Sequence, residues 1–182
     1  MNSRILASLA LGAVVALSAT GCASITPQAT TIIYSASDGV NVPSAEGAAV
    51  TVRNAVVVAD DEGTDGNLVA ALVNTTDSSA TLNLEWGSQT ATVRVPAGEV
   101  VSLGAGSEEP LLLEGIDTPA GATLPLYFQS GDAEGVVTEV PVLDGCLEHF
   151  ADLVPGGAAS DCSHLDRGDE PQGAEDSGSD GH

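Results

Sequence analysis

Ala80-Thr81-Leu82-Asn83-Leu84-Glu85-Trp86-Gly87-Ser88-Gln89-Thr90-Ala91-Thr92-Val93-Arg94-Val95 alternates apolar and polar residues on both sides of a Gly-Ser pair. Side chains in a strand point to opposite faces in turn, so Ala80, Leu82, Leu84 and Trp86 share one face, and Thr81, Asn83 and Glu85 the other. In the second half Ala91, Val93 and Val95 face in, and Thr90, Thr92 and Arg94 face out. Gly87-Ser88 is a two-residue turn between them, which predicts a half-buried β-hairpin.

The pattern extends in both directions from this hairpin. Short runs rich in Val, Ile, Leu and Thr recur between Gly, Asp, Asn, Pro and Ser clusters, at 32–35, 50–59, 99–103, 111–114, 124–130 and 136–142. Leu68 to Val73 is apolar on both faces, as a central strand is. Pro125 and Pro141 cannot donate to a ladder and belong at edges or strand ends. About eight short strands with no long helical period between them predict an all-β fold, an Ig-like or cupredoxin-like antiparallel β-sandwich spanning 31–143.

Composition narrows the function. The chain has 182 residues, 26 Asp and Glu against 4 Arg, no Lys, and a formal net charge of −22. Such a surface repels phosphate backbones and anionic head groups, which argues against nucleic acid and against electrostatic docking on a membrane. Aromatic residues are few, so the core has to be built from Val, Leu, Ile and Ala.

The N-terminus carries a targeting pattern. Arg4 is followed by an apolar run from Ile5 to Leu17, shorter than the ~20 residues that span a bilayer. It ends in Ala19-Thr20-Gly21-Cys22, which resembles a bacterial lipoprotein box, with Ala19 where such boxes usually carry Leu. Residues 1–21 are therefore expected to be a lipoprotein signal peptide. Cys22 is expected to be the acylated, palmitate-bearing first residue of the mature protein, with 22–30 a linker between lipid and domain. Burial of acyl chains at ~0.8 kcal/mol per CH₂ makes two or more of them a durable anchor on the extracytoplasmic face.

After the last strand, 144–165 places Leu147, Phe150, Leu153 and Val154 at helical spacing before Pro155-Gly156-Gly157. This predicts one short amphipathic helix on the sandwich. Residues 166–182 are acidic and rich in Gly and Ser, a composition that predicts disorder. Arg167-Gly168-Asp169 within that tail is a chance match in a biased segment.

Candidate chemistry is sparse. Cys146, His149, Cys162 and His164 could hold Zn²⁺ or Cu⁺. Exported thiols normally oxidise, however, and the Cys162-x-His164 pair is too close for finger spacing, so a Cys146–Cys162 disulfide is the favoured reading. The two histidines are then solvated. Asp60-Asp61-Glu62-Gly63-Thr64-Asp65-Gly66-Asn67 concentrates oxygen ligands. Aligned on an EF-hand loop from Asp61, though, Gly63 falls where a ligand is required and Leu72 where the bidentate Glu should be. A polar inter-strand loop explains this stretch better. Asn74-Thr75-Thr76 spells a glycosylation acceptor but reads as a strand-end turn, and Arg53 and Arg94 read as surface partners of nearby carboxylates. No G-x-S-x-G, Ser-x-x-Lys or G-x-G-x-x-G occurs, and every histidine lies at or beyond position 149. Catalysis is thus the least supported class, and no cofactor is expected.

GNLVAALVNTTDSSATL (66–82), VRVPAGEVVSLG (93–104) and PLLLEGIDTPAGATLPLYFQSGDAEGVVTEVPV (110–142) resemble the sandwich of the PCu(A)C copper chaperones. With VTVRNAVV (50–57) and the lipid box, the chain looks closer still to actinobacterial lipoproteins of the LpqE type. The resemblance implies a β-sandwich on the outer face of the membrane. It does not bring a copper site, because that family binds Cu⁺ through His and Met of the sandwich and neither occurs between residues 31 and 143. The sequence reading is a lipid-anchored protein that binds a membrane-protein partner, such as a respiratory complex. The alternative is a copper or zinc carrier using Cys146, His149, Cys162 and His164.

Overall fold

The computed structural model describes residues 37–106 and 108–165. The signal peptide, Cys22, the linker, the strand expected at 32–35, and the tail with Arg167-Gly168-Asp169 lie outside the described residues.

Eight strands follow in order: β1 (Val50–Ala59), β2 (Gly66–Asn74), β3 (Ala80–Trp86), β4 (Gln89–Val95), β5 (Val100–Leu103), β6 (Leu111–Leu113), β7 (Thr123–Ser130) and β8 (Val136–Leu143). They match the stretches expected from alternation to within a residue or two. The β3–β4 hairpin pairs Ala80 with Val95 through to Trp86 with Gln89. Gly87 takes the positive φ of 53° that its turn requires and that side chains disfavour. Leu82, Leu84, Trp86 and Val95 are buried as the pattern demands, while Thr90, Thr92 and Arg94 are exposed.

The strands run β4-β3-β7-β8-β1-β2-β5, with β6 also on β2. This is a sandwich in which β8 passes from one layer to the other. Through Pro141, β8 pairs antiparallel with β7, and then Val142 and Leu143 pair with Val57 and Val58 of β1. That last junction is parallel, the one departure from an antiparallel sandwich among these ladders. Alternation reports which face a residue takes and is blind to the direction of its neighbour, so the sequence offered no sign of it.

Both prolines sit where a ladder does not need their missing N–H. Pro125 lies in β7 beyond Tyr127, the last residue of that strand paired with β3. Pro141 immediately precedes the two residues that β8 pairs with β1.

The main core is aliphatic, with Leu68, Leu72, Leu82, Leu84, Leu113, Leu126, Val57, Val140 and Val142 fully enclosed around Trp86 and Phe128. Trp86 Nε1 donates to the Glu114 carbonyl at 2.9 Å, which satisfies the ring's one polar atom. Asn74 closes β2 as a strand-end residue, but its side chain is buried rather than presented to solvent.

Ala55, Val56, Val57, Val58 and Ala59 are all buried, so β1 is covered on both faces there. A second small core accounts for this: Val56 and Val58 pack against Phe150 and Val154 of the C-terminal segment, with Val69, Leu143 and Leu153 at its margin. That segment lies as a strap over the outer face of β1 and β2. Gly145, at its start, lies so close beneath it that a side-chain carbon would collide with Val154 and Ser160.

The strap corrects the expected helix. In place of one amphipathic helix there are three single 3₁₀ turns, Ala151–Leu153, Pro155–Gly157 and Ser163–Leu165. Leu147, assigned to the buried face, is 48% exposed, whereas Phe150 and Val154 are buried. Two constraints explain the break. The stretch between Cys146 and Pro155 is shorter than the roughly 12–15 residues at which a helix sustains itself. The residue before a proline is also driven out of the helical region, and Val154 is extended at φ −66°, ψ 135°.

Candidate functional site

One end of the sandwich carries a depression of about 510 Å³ lined by Asp60, Asp61, Asp144, Asp161 and His164, with Pro119, Ala120 and Gly121 as its apolar wall. Four chain segments build it: the loop leaving β1, the loop before β7, the residue leaving β8, and the end of the strap.

The loop from Asp60 is held by its own carboxylates. Asp60 Oδ1 accepts the Thr64 N–H at 2.8 Å, and its Oδ2 accepts that of Asp65 at 3.1 Å. Asp65 Oδ1 in turn accepts the Gly115 N–H at 2.8 Å. Two of the acidic side chains that invited a calcium reading therefore serve as backbone acceptors, which is what a polar inter-strand loop requires. Asp61 reaches across to the strap, its two oxygens each 3.1 Å from the Asp161 N–H.

Cys146 and Cys162 form the disulfide, with Cα atoms 5.5 Å apart. Both residues are partly exposed. Asp144 Oδ1 accepts the Cys146 N–H at 3.0 Å, and its Oδ2 lies 3.3 Å from His164 Nε2. Ligating atoms of Asp144, Cys146 and His164 all fall within 4.8 Å of one another.

His149 is engaged elsewhere. Its Nε2 is 3.4 Å from Asp38 Oδ2, and its ring leans on Phe150 with centroids 4.1 Å apart. The expected solvated histidines are thus both paired with carboxylates, while remaining more than two-fifths exposed. In the disulfide form neither cysteine offers the thiolate on which the four-residue Zn²⁺ or Cu⁺ set depends. Arg53 and Arg94 are exposed, and among the described residues neither makes an ion pair, contrary to the surface pairing expected of them.

Sequence reasoning missed Asp38, Asp144 and Asp161. A local signal existed for two of them, since Asp144 bonds the N–H of Cys146 and Asp161 that of Ser163, two residues on in each case. That is the Asx-turn habit of aspartate. Their convergence with Asp60 and Asp61 had no local signal.

Asp161 is held below the usual carboxylate value of 3.8, first by the Ser163 N–H, then by the Ser163 hydroxyl and the neighbouring His164 charge, with slight burial opposing. A carboxyl whose value is depressed by folding contributes stability that is complete above its unfolded value and lost as pH falls through the folded one. Asp161→Asn should therefore destabilise the protein near pH 6, and the difference from wild type should shrink as pH drops below 3.8. Denaturation midpoints of both proteins at pH 6 and pH 2.5 check this. A difference independent of pH would contradict it.

The described unit is thus an all-β sandwich with a disulfide-closed strap and an acid-lined cleft. No family model matches the chain, and no curated protein matches it. Among solved structures it is similar to the apo PCuAC domain from PmoF1, at 18% identity over 52% of this chain and 92% of that one, with a TM-score of 0.43. It is also similar to the copper-bound PCuAC domain from PmoF2, at 15% identity over 56% of this chain and 99% of that one, with a TM-score of 0.42. For the apo form of that PmoF2 domain the values are 16%, 53%, 90% and 0.42.

Proposed function

We propose that this chain is a lipid-anchored extracytoplasmic protein that acts by binding a basic segment of a membrane-protein partner, as an accessory of an assembly such as a respiratory complex. The observation that carries the reading is the convergence of Asp60, Asp61, Asp144 and Asp161 on one cleft in a chain of net charge −22. A concentration of one sign in a concave surface focuses the field and speeds encounter with a partner of opposite charge. Leu165, next to His164 in the chain, is 58% exposed and adds an apolar contact at the rim. The role needs no reaction and no cofactor from this chain.

Anchoring belongs to the same reading and rests on Ala19-Thr20-Gly21-Cys22. Cys22→Ser should move essentially all of the protein from the membrane fraction to the soluble or secreted fraction, because a single covalent site carries the acyl chains. Fractionation and intact mass of the mature chain read this directly. A variant that stays in the membrane, or a wild type without acyl mass, would remove the anchor.

The binding role is tested by purifying the detergent-solubilised full chain from its own membranes beside a D61N/D161N variant. These changes keep oxygen acceptors in place while removing two charges. The expected result is an integral membrane protein that travels with wild type, is depleted several-fold with the variant, and dissociates as salt rises toward 0.5 M, where screening is strong. Retention of the same protein by both chains at high salt would refute the acidic cleft as the binding face.

A further inference from the structure

We infer that the Cys146–Cys162 disulfide is a thiol–disulfide exchange site for a dithiol protein of the same compartment, with attack directed to Cys162 and Cys146 departing beside His164. This goes beyond the binding role and does not depend on it.

Asp144 organises the site. One of its oxygens accepts the Cys146 N–H at 3.0 Å and the other stands 3.3 Å from His164 Nε2, so the same carboxylate fixes both the sulfur's backbone and the imidazole. The result is a carboxylate, an imidazole and a sulfur whose ligating atoms all lie within 4.8 Å of one another. Departure of a sulfur in exchange is faster when its thiolate is stabilised, and a protonated imidazole next to it does that.

Access is available. Cys162 is partly exposed between exposed neighbours, and the cleft opens against His164. The charged groups facing His164 across that cleft are Asp60, Asp61, Asp144 and Asp161.

A thiolate of the partner attacks Cys162 Sγ, a bond forms between those sulfurs, and the Cys146–Cys162 bond breaks. The electron pair goes to Cys146 Sγ, which takes a proton relayed from solvent by the neighbouring His164 imidazole. The partner's second thiolate then displaces Cys162, which is protonated from solvent. The partner ends as a disulfide, having given up two electrons and two protons, and this chain ends as a dithiol. Opening the bond frees the strap that covers Val56 and Val58.

The test uses the mature full chain and two neutral reagents, so that the acidic surface does not bias the reagent. Dithiothreitol gives the reduction rate. Brief exposure to 2-mercaptoethanol, acid quench and peptide mapping by mass spectrometry give the sulfur that was attacked. The adduct is expected mainly on Cys162, with Cys146 recovered as the free thiol. At pH 7 H164Q should slow reduction on the order of three- to tenfold. D144N should slow it in the same direction, and H149Q, whose imidazole lies on Asp38, should leave the rate unchanged. His164 is an exposed residue of the strap, and far-UV circular dichroism of H164Q should match wild type. Equal adducts on both sulfurs, or a reduction rate that H164Q does not alter, would show a plain staple and overturn the proposal.

Discussion

Asn74→Ala is expected to lower the stability of the sandwich by about 3–5 kcal/mol, on the basis of about 1–3 kcal/mol for each buried polar group left unpaired. The side chain is 1% exposed and stands where three strands meet. Its Nδ2 donates to the carbonyls of Ser78 at 2.8 Å, Pro96 at 2.9 Å and Val95 at 3.2 Å, two protons shared among three acceptors. Its Oδ1 accepts the Thr76 N–H at 3.0 Å and the Thr76 hydroxyl at 2.7 Å. The backbone N–H of the same residue donates to Glu99 at 3.0 Å.

One amide therefore ties the end of β2 to the start of β3 and the end of β4. Truncation at Cβ leaves the Val95 and Pro96 carbonyls without that donor and opens a cavity at the hairpin's root. Asn74→Asp should be at least as damaging. It keeps the acceptor toward Thr76 but turns a second, anionic oxygen toward three carbonyls. Urea denaturation reads the loss as a lower midpoint at unchanged slope. A loss under 1 kcal/mol for Asn74→Ala would mean that the amide is not the joint it is described as. Engagement of this amide in the interior also explains why the glycosylation spelling at Asn74-Thr75-Thr76 marks a turn.

Removing the disulfide by Cys146→Ala with Cys162→Ala should cost about 3 kcal/mol in the loop-entropy model. The residues are separated by 16 positions, and the loop they close is the strap itself. What remains to hold the strap is its own small core and a few polar contacts, among them Asn67 Nδ2 on the Leu153 carbonyl at 2.8 Å and the Asp161 N–H on Asp61. The loss should therefore be felt first as local opening, with amide exchange rising across 146–165 and at Val56 and Val58 before the main core responds. Denaturation combined with hydrogen exchange separates this from uniform weakening. An unchanged midpoint with protected strap amides would count against the staple.

Much of the sandwich was legible because its signals are local. Alternation in Ala80 to Trp86 and Gln89 to Val95, the Gly87 turn and the doubly apolar Leu68 to Val73 each depend on a period of two within one strand. The strap was misjudged for a reason equally physical. Leu147, Phe150, Leu153 and Val154 have helical spacing, but spacing counts only where the backbone is free to follow it, and a disulfide at Cys146 and a proline at 155 bracket the segment. The cleft was legible only in part. Its loop was visible as a cluster of aspartates, whereas Asp144 and Asp161 stand 17 residues apart by number and meet because the disulfide brings Cys146 to Cys162.

The amino-acid order alone determined the strand positions, the aliphatic makeup of the core, the strong negative charge and the oxidised cysteine pair, since each follows from residue type and short-range period. Only the tertiary structure decided that β8 crosses between layers to run parallel with β1, that the strap roofs Val56 and Val58, and that Asp144 joins Cys146 to His164. These are long-range pairings. Their energy comes from burying apolar faces and satisfying backbone groups between segments far apart in the chain, and no local pattern encodes which segments will meet.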